Sequence, residues 1–140
     1  MLGSVSTTRL RAYSRVARAP FLTLPVTLVV LGTALAIQVD GFDPSAAILA
    51  LVGLVSLHVS INARNEYRDY QSGVDFETDP TPFSGGSGTL PAEELDPTVA
   101  MRLATVTAGI GAVIGGYFIV DVGLLLVPIM GIGAVSVLFY

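Results

Sequence analysis

The chain has 140 residues, 52% of them hydrophobic and 13% charged, with a mean hydropathy of +0.72 and a net charge of −4. Soluble domains carry roughly 25% charged residues, so this composition excludes an ordinary soluble domain and points to a membrane protein. The chain has no Cys, which excludes disulfides and thiolate metal sites, and its acidic balance offers no footprint for nucleic acid.

The chain opens on a basic segment. All seven basic residues are Arg, and four of them, Arg9, Arg11, Arg15 and Arg18, precede the first apolar run. The positive-inside rule places that end in the cytoplasm. The first predicted span is 20–39. Arg residues followed by an apolar run and Ala34-Leu35-Ala36 also have the look of a cleavable signal peptide. The leader is long for that, however, and the apolar run continues past the expected h-region. The turn 40–45 is then outside. The second span is 46–66, its polar end facing the bundle interior, and residues 67–98 form a cytoplasmic loop. The third span is 99–120, Asp121 marks a tight outer turn, and the fourth span is 122–140. Each approaches the roughly 20 residues that cross about 30 Å of hydrocarbon. Pro25 and Pro128 fall inside spans, where membrane helices tolerate proline. Glycines crowd the third and fourth spans, which lets helices approach closely. The expected fold is an all-α transmembrane helical bundle, one domain over 1–140, with four spans, a cytoplasmic N-terminus and a multi-pass place in the cell membrane.

The most informative residues lie at the end of the second span: Asn62-Ala63-Arg64-Asn65-Glu66-Tyr67-Arg68-Asp69-Tyr70-Gln71-Ser72-Gly73-Val74-Asp75. At about 100° per residue, Asn62, Asn65, Glu66 and Asp69 share one helical stripe, and His58 lies on it one turn earlier. Such a stripe presents oxygen ligands to one spot, which suits Mg²⁺ carrying a phosphorylated substrate. The competing reading is a solvated helix end. Against it, carboxylates at a helix C-terminus are disfavoured by roughly 0.3–1 kcal/mol each, an effect that a bound cation offsets. Further on, Ser84-Gly85-Gly86-Ser87-Gly88 is either an anion-cradling nest or a flexible linker, and composition alone favours the linker. Asp96 or Thr98 is the expected N-cap of the third span.

The run N-x-x-N-E-x-x-D-x-x-x-G-x-D resembles the first Asp-rich motif of the UbiA superfamily of intramembrane prenyltransferases. Pro82-Phe83-Ser84-Gly85-Gly86-Ser87-Gly88-Thr89-Leu90 resembles the loop that follows it in the 1,4-dihydroxy-2-naphthoate prenyltransferases of the menaquinone branch. The chain departs from the motif in carrying Glu66 where the family usually has Asp. The resemblance implies Mg²⁺ and diphosphate binding by Asn65, Glu66 and Asp69, with Asn62 and Asp75 in support. It also implies diphosphate contacts from Ser84, Gly85, Gly86 and Ser87, which reverses the linker reading of that loop. Arg68, off the carboxylate stripe, either pairs with the diphosphate or simply balances the acids. His58 is a candidate for contact with the acceptor. The implied activity moves a polyprenyl group from its diphosphate to an aromatic acceptor, the apolar bundle shielding the allylic cation from water.

The resemblance covers the N-terminal half of such an enzyme. A second Asp-rich motif is expected from a missing C-terminal half, and the chain alone is expected to bind without turnover. The alternative function is a non-catalytic membrane module that binds lipid diphosphate or pairs with another chain. The CDP-alcohol phosphotransferase pattern fits poorly. Ala63-Arg64 and Gly73 match it, but Val59-Ser60 stands where that motif needs Asp-Gly, and Glu77 and Thr81 stand where it needs two Asp.

Overall fold

A computed structural model describes residues 2–77 and 86–139, with side chains described over 7–77 and 86–135. The chain is helical throughout, with no strand among the described residues. Its helices are α1 (Leu2–Val16), α2 (Thr23–Gln38), α3 (Pro44–Ser72), α4 (Val74–Glu77), α5 (Pro97–Val122) and α6 (Leu126–Phe139), with a 3₁₀ turn over Ala19–Leu22 that leads into α2. Among the described residues, Ala19–Gln38, α3 and α5 are long and apolar enough to cross a membrane. The shorter apolar α6 has 14 residues. At 1.5 Å per residue it spans about 21 Å, short of the roughly 30 Å of a hydrocarbon layer. The large apolar side chains stand mostly outside the bundle, for example Leu31 at 55%, Val106 at 62% and Ile129 at 67% exposed, as a lipid-facing surface requires.

Local chemistry sets the helix starts. Asp43 caps α3, its carboxylate accepting from the Ser45 N–H at 2.8 Å and the Ala46 N–H at 3.3 Å. Asp96 caps α5 by accepting from the Thr98 N–H at 2.7 Å. Pro44 and Pro97 follow as the first helical residues, where the missing N–H is not needed. The hydrogen bonds pull both caps below the usual carboxylate pKa. Pro25 lies inside the span Ala19–Gln38, as expected. It and Pro128 each sit at the third position of their helix, where no intrahelical N–H bond is lost.

Two further boundaries are set by the structure. The basic N-terminal segment is itself a helix, α1, which buries Ala12 and Val16 completely. The second long helix continues past the polar stripe, as its periodicity implies, and runs to Ser72, where Gly73 at φ 85° ends it in the left-handed conformation. With 29 residues, α3 is about 44 Å long, so its polar last turns stand beyond a 30 Å apolar layer.

The main packing is α3 on α5. Gly53, Ser56, Ser60, Ala63 and Glu66 are the buried residues of α3, and their spacing of three and four keeps them on one stripe. Ala100, Ala104, Gly111 and Gly115 are their counterparts on α5. Small residues let the two backbones approach, and the Ser60 hydroxyl donates across to the Ala104 carbonyl at 2.8 Å. The only large side chain on the α3 stripe is Glu66, at the polar end. There, too, lies the small apolar core, in which Ala12, Val16, Ala63, Leu90, Leu95, Ala100 and Ala104 pack together. This core ties α1 and the 86–95 loop to the end of α3. The N-terminal segment and the loop therefore share one side of the bundle.

A methyl group on Gly111 would lie 2.5 Å from Leu57 Cδ2 and 2.6 Å from Leu57 Cγ, whereas Gly116 faces open space. Gly111→Ala is predicted to destabilise the bundle by about 1–3 kcal/mol through overpacking. Gly116→Ala should be neutral or mildly stabilising, since Ala is the better helix former. Loss of helicity on SDS titration in detergent checks both; equal midpoints would show that α3 and α5 do not meet at Gly111.

Candidate functional site

The polar end of α3 carries a fully buried carboxylate. Glu66 is 0% exposed, and five hydrogen-bond contacts converge on it. Oε1 accepts from Arg18 Nε at 3.2 Å, from Arg18 Nη2 at 3.1 Å and from the Ser87 N–H at 2.9 Å. Oε2 accepts from the same Ser87 N–H at 3.1 Å and from the Ser87 hydroxyl at 2.6 Å. The Ser87 oxygen in turn accepts from the Thr89 N–H at 3.2 Å. Burying a charge is costly unless it is paired and hydrogen-bonded, and this carboxylate has both forms of compensation.

Each element reaches the site for a local reason. Arg18 follows α1 in a left-handed conformation, φ 49°, which turns the chain from α1 into the 3₁₀ turn. The Asn62 amide holds this corner by donating to the Ala17 carbonyl at 2.9 Å. On the other side, Gly86 at φ 73° and Gly88 at φ 67° give the loop the left-handed conformations that glycine adopts without steric penalty. That places the Ser87 N–H over Glu66. A fully buried Leu90 anchors the loop.

The remaining acids lie beside this pair. Asn65 donates its amide N–H to Asp69 Oδ2 at 3.1 Å, a contact of residues four apart on one helix face, which leaves the amide oxygen as the ligand Asn65 can offer. Asp75, on α4, is only 6% exposed, and its Oδ2 has no hydrogen-bond partner among the described residues. Its carboxylate lies where a side chain on Gly86 would be, so Gly86 serves both the turn and the cradle. Burial, then the charges of Glu66 and Asp69, push the Asp75 pKa up to about 6, with Arg18 acting the other way.

The residues singled out in the sequence thus divide. Asn65, Glu66, Asp69, Asp75, Gly86 and Ser87 come together. Asn62 serves the α1 corner instead. Arg68 is exposed, and His58 is half-buried about 12 Å back along α3. Ser84 and Gly85 lie outside the described residues. Arg18, read from sequence only as a topology signal, is the residue missed. No three His, Asp or Glu side chains among the described residues are grouped closely enough to hold a metal ion by themselves. Glu66 is engaged by protein donors instead.

For the metal-free protein the sign of the pH dependence follows from Asp75. Below about pH 4 its carboxyl is protonated in both folded and unfolded chains, and no difference arises. The folded state keeps the proton up to about pH 6, so between these values it binds more protons and stability falls as pH rises. About two pKa units correspond to about 3 kcal/mol lost above pH 6. Asp75→Asn is predicted to remove this slope and to be the more stable protein at pH 7. Thermal unfolding in detergent with chelator, from pH 4 to pH 7, checks it; parallel curves for the two proteins would show that Asp75 is not strained by its surroundings.

Comparison of the chain with protein-family models, with curated proteins and with solved structures gives no match. The function is therefore argued from the geometry of this site.

Proposed function

We propose that this chain binds a polyprenyl diphosphate at the polar end of α3 through Mg²⁺, and serves transfer of the prenyl group to an aromatic acceptor. The observation that carries the reading is the buried Asp75 carboxylate, one oxygen unpartnered among the described residues, beside Glu66 and Asp69. A protein buries like charges only where something offsets them. The donors are oxygens from Asn65, Asp69 and Asp75, hard ligands of the kind Mg²⁺ takes. Mg²⁺ keeps several waters and is held by one or two carboxylates together with substrate phosphates, which is compatible with acids that form no metal cage of their own.

When bound, the metal would neutralise the diphosphate leaving group. The chain's own residues orient and shield. Asn65 and Asp69 sit on one helix face, Asp75 is fixed against Gly86, and the Ser87 N–H and hydroxyl hold the site's loop to α3. Deeper along α3, a wholly apolar cleft of about 200 Å³ is lined by Val29, Leu54, Leu57, Ile114, Phe118 and Met130. Leu57 is about 14 Å from Glu66 along the helix. The cleft suits hydrocarbon but is smaller than the 300–1,000 Å³ of a typical ligand pocket. It would take only part of a prenyl chain, the remainder lying in lipid. The full reading includes α6 as a fourth membrane-inserted element, and a cytoplasmic site in the cell membrane on the strength of Arg9, Arg11, Arg15 and Arg18.

Three outcomes are expected. Farnesyl diphosphate binding, measured by calorimetry in detergent, should require Mg²⁺ and weaken about tenfold or more, which is 1.4 kcal/mol, in Asp69→Ala. Asp43→Ala, at the opposite end of α3, should change it little, and equal losses would remove the site. Reporter fusions at Asp43 and Gly86 should read outside and inside; a Gly86 fusion reporting outside would invert the orientation. Prenyl transfer to 1,4-dihydroxy-2-naphthoate should be absent from these 140 residues alone and appear when a second acidic motif is supplied by co-expression, because one set of carboxylates under-neutralises the departing diphosphate. Full transfer by the purified chain would show that one set suffices.

A further inference from the structure

The site is closed by the chain itself. Glu66 is wholly buried, and its two oxygens already receive Arg18 Nε, Arg18 Nη2, the Ser87 N–H and the Ser87 hydroxyl. A carboxylate has about four lone-pair positions, so a further ligand at Glu66 must displace a donor. We propose that Arg18 is a tethered cation that occupies Glu66 in place of the divalent cation, so that the site opens by release of α1. This inference rests on the proposed Mg²⁺-diphosphate site at Asn65, Asp69 and Asp75, and adds Glu66 to its ligands.

Two arguments identify Arg18, rather than Ser87, as the group that leaves. A guanidinium and a divalent cation against one carboxylate repel each other, while the Ser87 hydroxyl and N–H are neutral. The attachments also differ in kind. Ser87 belongs to a loop anchored by Thr89 and Leu90, both essentially fully buried. Arg18 follows α1, which buries Ala12 and Val16 and whose described polar attachments include an Arg15–Glu94 ion pair at 2.9 Å, with the Asn62 amide holding Ala17 beside it. That pair is exposed, with 55% and 35% of its side chains accessible, and exposed pairs contribute little. Arg18 is, in addition, a non-glycine residue at φ 49°, a conformation disfavoured for residues with a Cβ.

The exchange has a charge rationale. Arg18 brings one positive charge to Glu66 and leaves Asp75 Oδ2 without a hydrogen-bond partner among the described residues. A divalent cation brings two, and can be shared with Asp69 and Asp75. The N-terminal helix therefore guards the site in the absence of ligand and yields when a cation arrives with a diphosphate. A monovalent cation is the poorer competitor.

The chain has no Cys, so the exposed Arg11 and Gln71 can be changed to Cys as a unique spin-labelled pair that leaves Arg18 intact. The 11–71 distance distribution, measured by pulsed EPR in lipid nanodiscs, should be narrow with chelator. It should broaden with saturating Mg²⁺ and inorganic diphosphate, and stay narrow in the same pair carrying Asp69→Ala. In parallel, Arg18→Gln should tighten calorimetric binding of Mg²⁺-diphosphate about tenfold, whereas Arg15→Gln leaves it unchanged. Should Arg18→Gln fail to fold, the labelled pair decides alone. Saturated binding with an unmoved 11–71 distance overturns the exchange while leaving the site in place. Weaker binding by Arg18→Gln also overturns it, because Arg18 would then be holding the diphosphate. No binding of Mg²⁺-diphosphate by the unaltered chain overturns the site, and the exchange with it.

Discussion

Compensation of one buried charge, Glu66, organises the polar end of this protein. Its carboxylate sits on the same α3 stripe as Gly53, Ser56, Ser60 and Ala63, a stripe otherwise reserved for small residues that admit α5. An ionised group there needs donors from elsewhere in the chain. Arg18 arrives from the N-terminal side at 3.1 Å and Ser87 from the following loop at 2.6 Å. The two partners lie 48 and 21 residues away in sequence. Leaving a buried charge without its partner is strongly destabilising, by about 3–5 kcal/mol. That one interaction therefore ties α1, α3 and the loop into a single end-piece.

The rest of the molecule follows a different rule. Between its ends the bundle is held by close backbone approach of Gly53 and Gly111, by Met130 packing on Gly115 and by the Ser60–Ala104 hydrogen bond, while large apolar side chains point outward. In lipid there is little hydrophobic gain from burying Leu against Leu, so small residues and interhelical hydrogen bonds make the contact. The buried apolar cluster accordingly sits at the polar end, with Val16, Leu90 and Leu95, where water makes burial favourable. The glycines do not all act alike. Gly111 and Gly115 meet Leu57 and Met130, while Gly109, Gly116, Gly131 and Gly133 have open space where a side chain would be.

The protein's acids are in unlike states. Asp43 and Asp96 cap helices and are held low by their hydrogen bonds. Asp75 is buried beside other acids and pushed to about 6. Caps stabilise the fold at their own positions, whereas Asp75 is disfavoured as a charge by burial and by its acidic neighbours. A shift of this kind marks a functional site more reliably than an acidic composition does.

The sequence by itself determined the long apolar helices, a cap at Asp96 or Thr98, and the gathering of Asn65, Glu66 and Asp69 near the end of the second one. These are local properties, set by hydropathy over about 20 residues, by side chains bonding to backbone two residues on, and by a 100° helical turn. It also suggested that Asp75, Gly86 and Ser87 belong with these acids, through the resemblance of their segments to known ones. Three things were decided only by the tertiary structure. α1 is a helix because Ala12 and Val16 find a surface to cover. Asn62 leaves the acidic stripe for Ala17, because the chain turns back across α3 at that corner. Arg18, which in sequence reads only as one of four arginines ahead of an apolar run, becomes the counter-ion of Glu66. No periodicity connects residues 48 apart; the pairing exists because burial of one carboxylate requires a cation, and folding brings that one within reach.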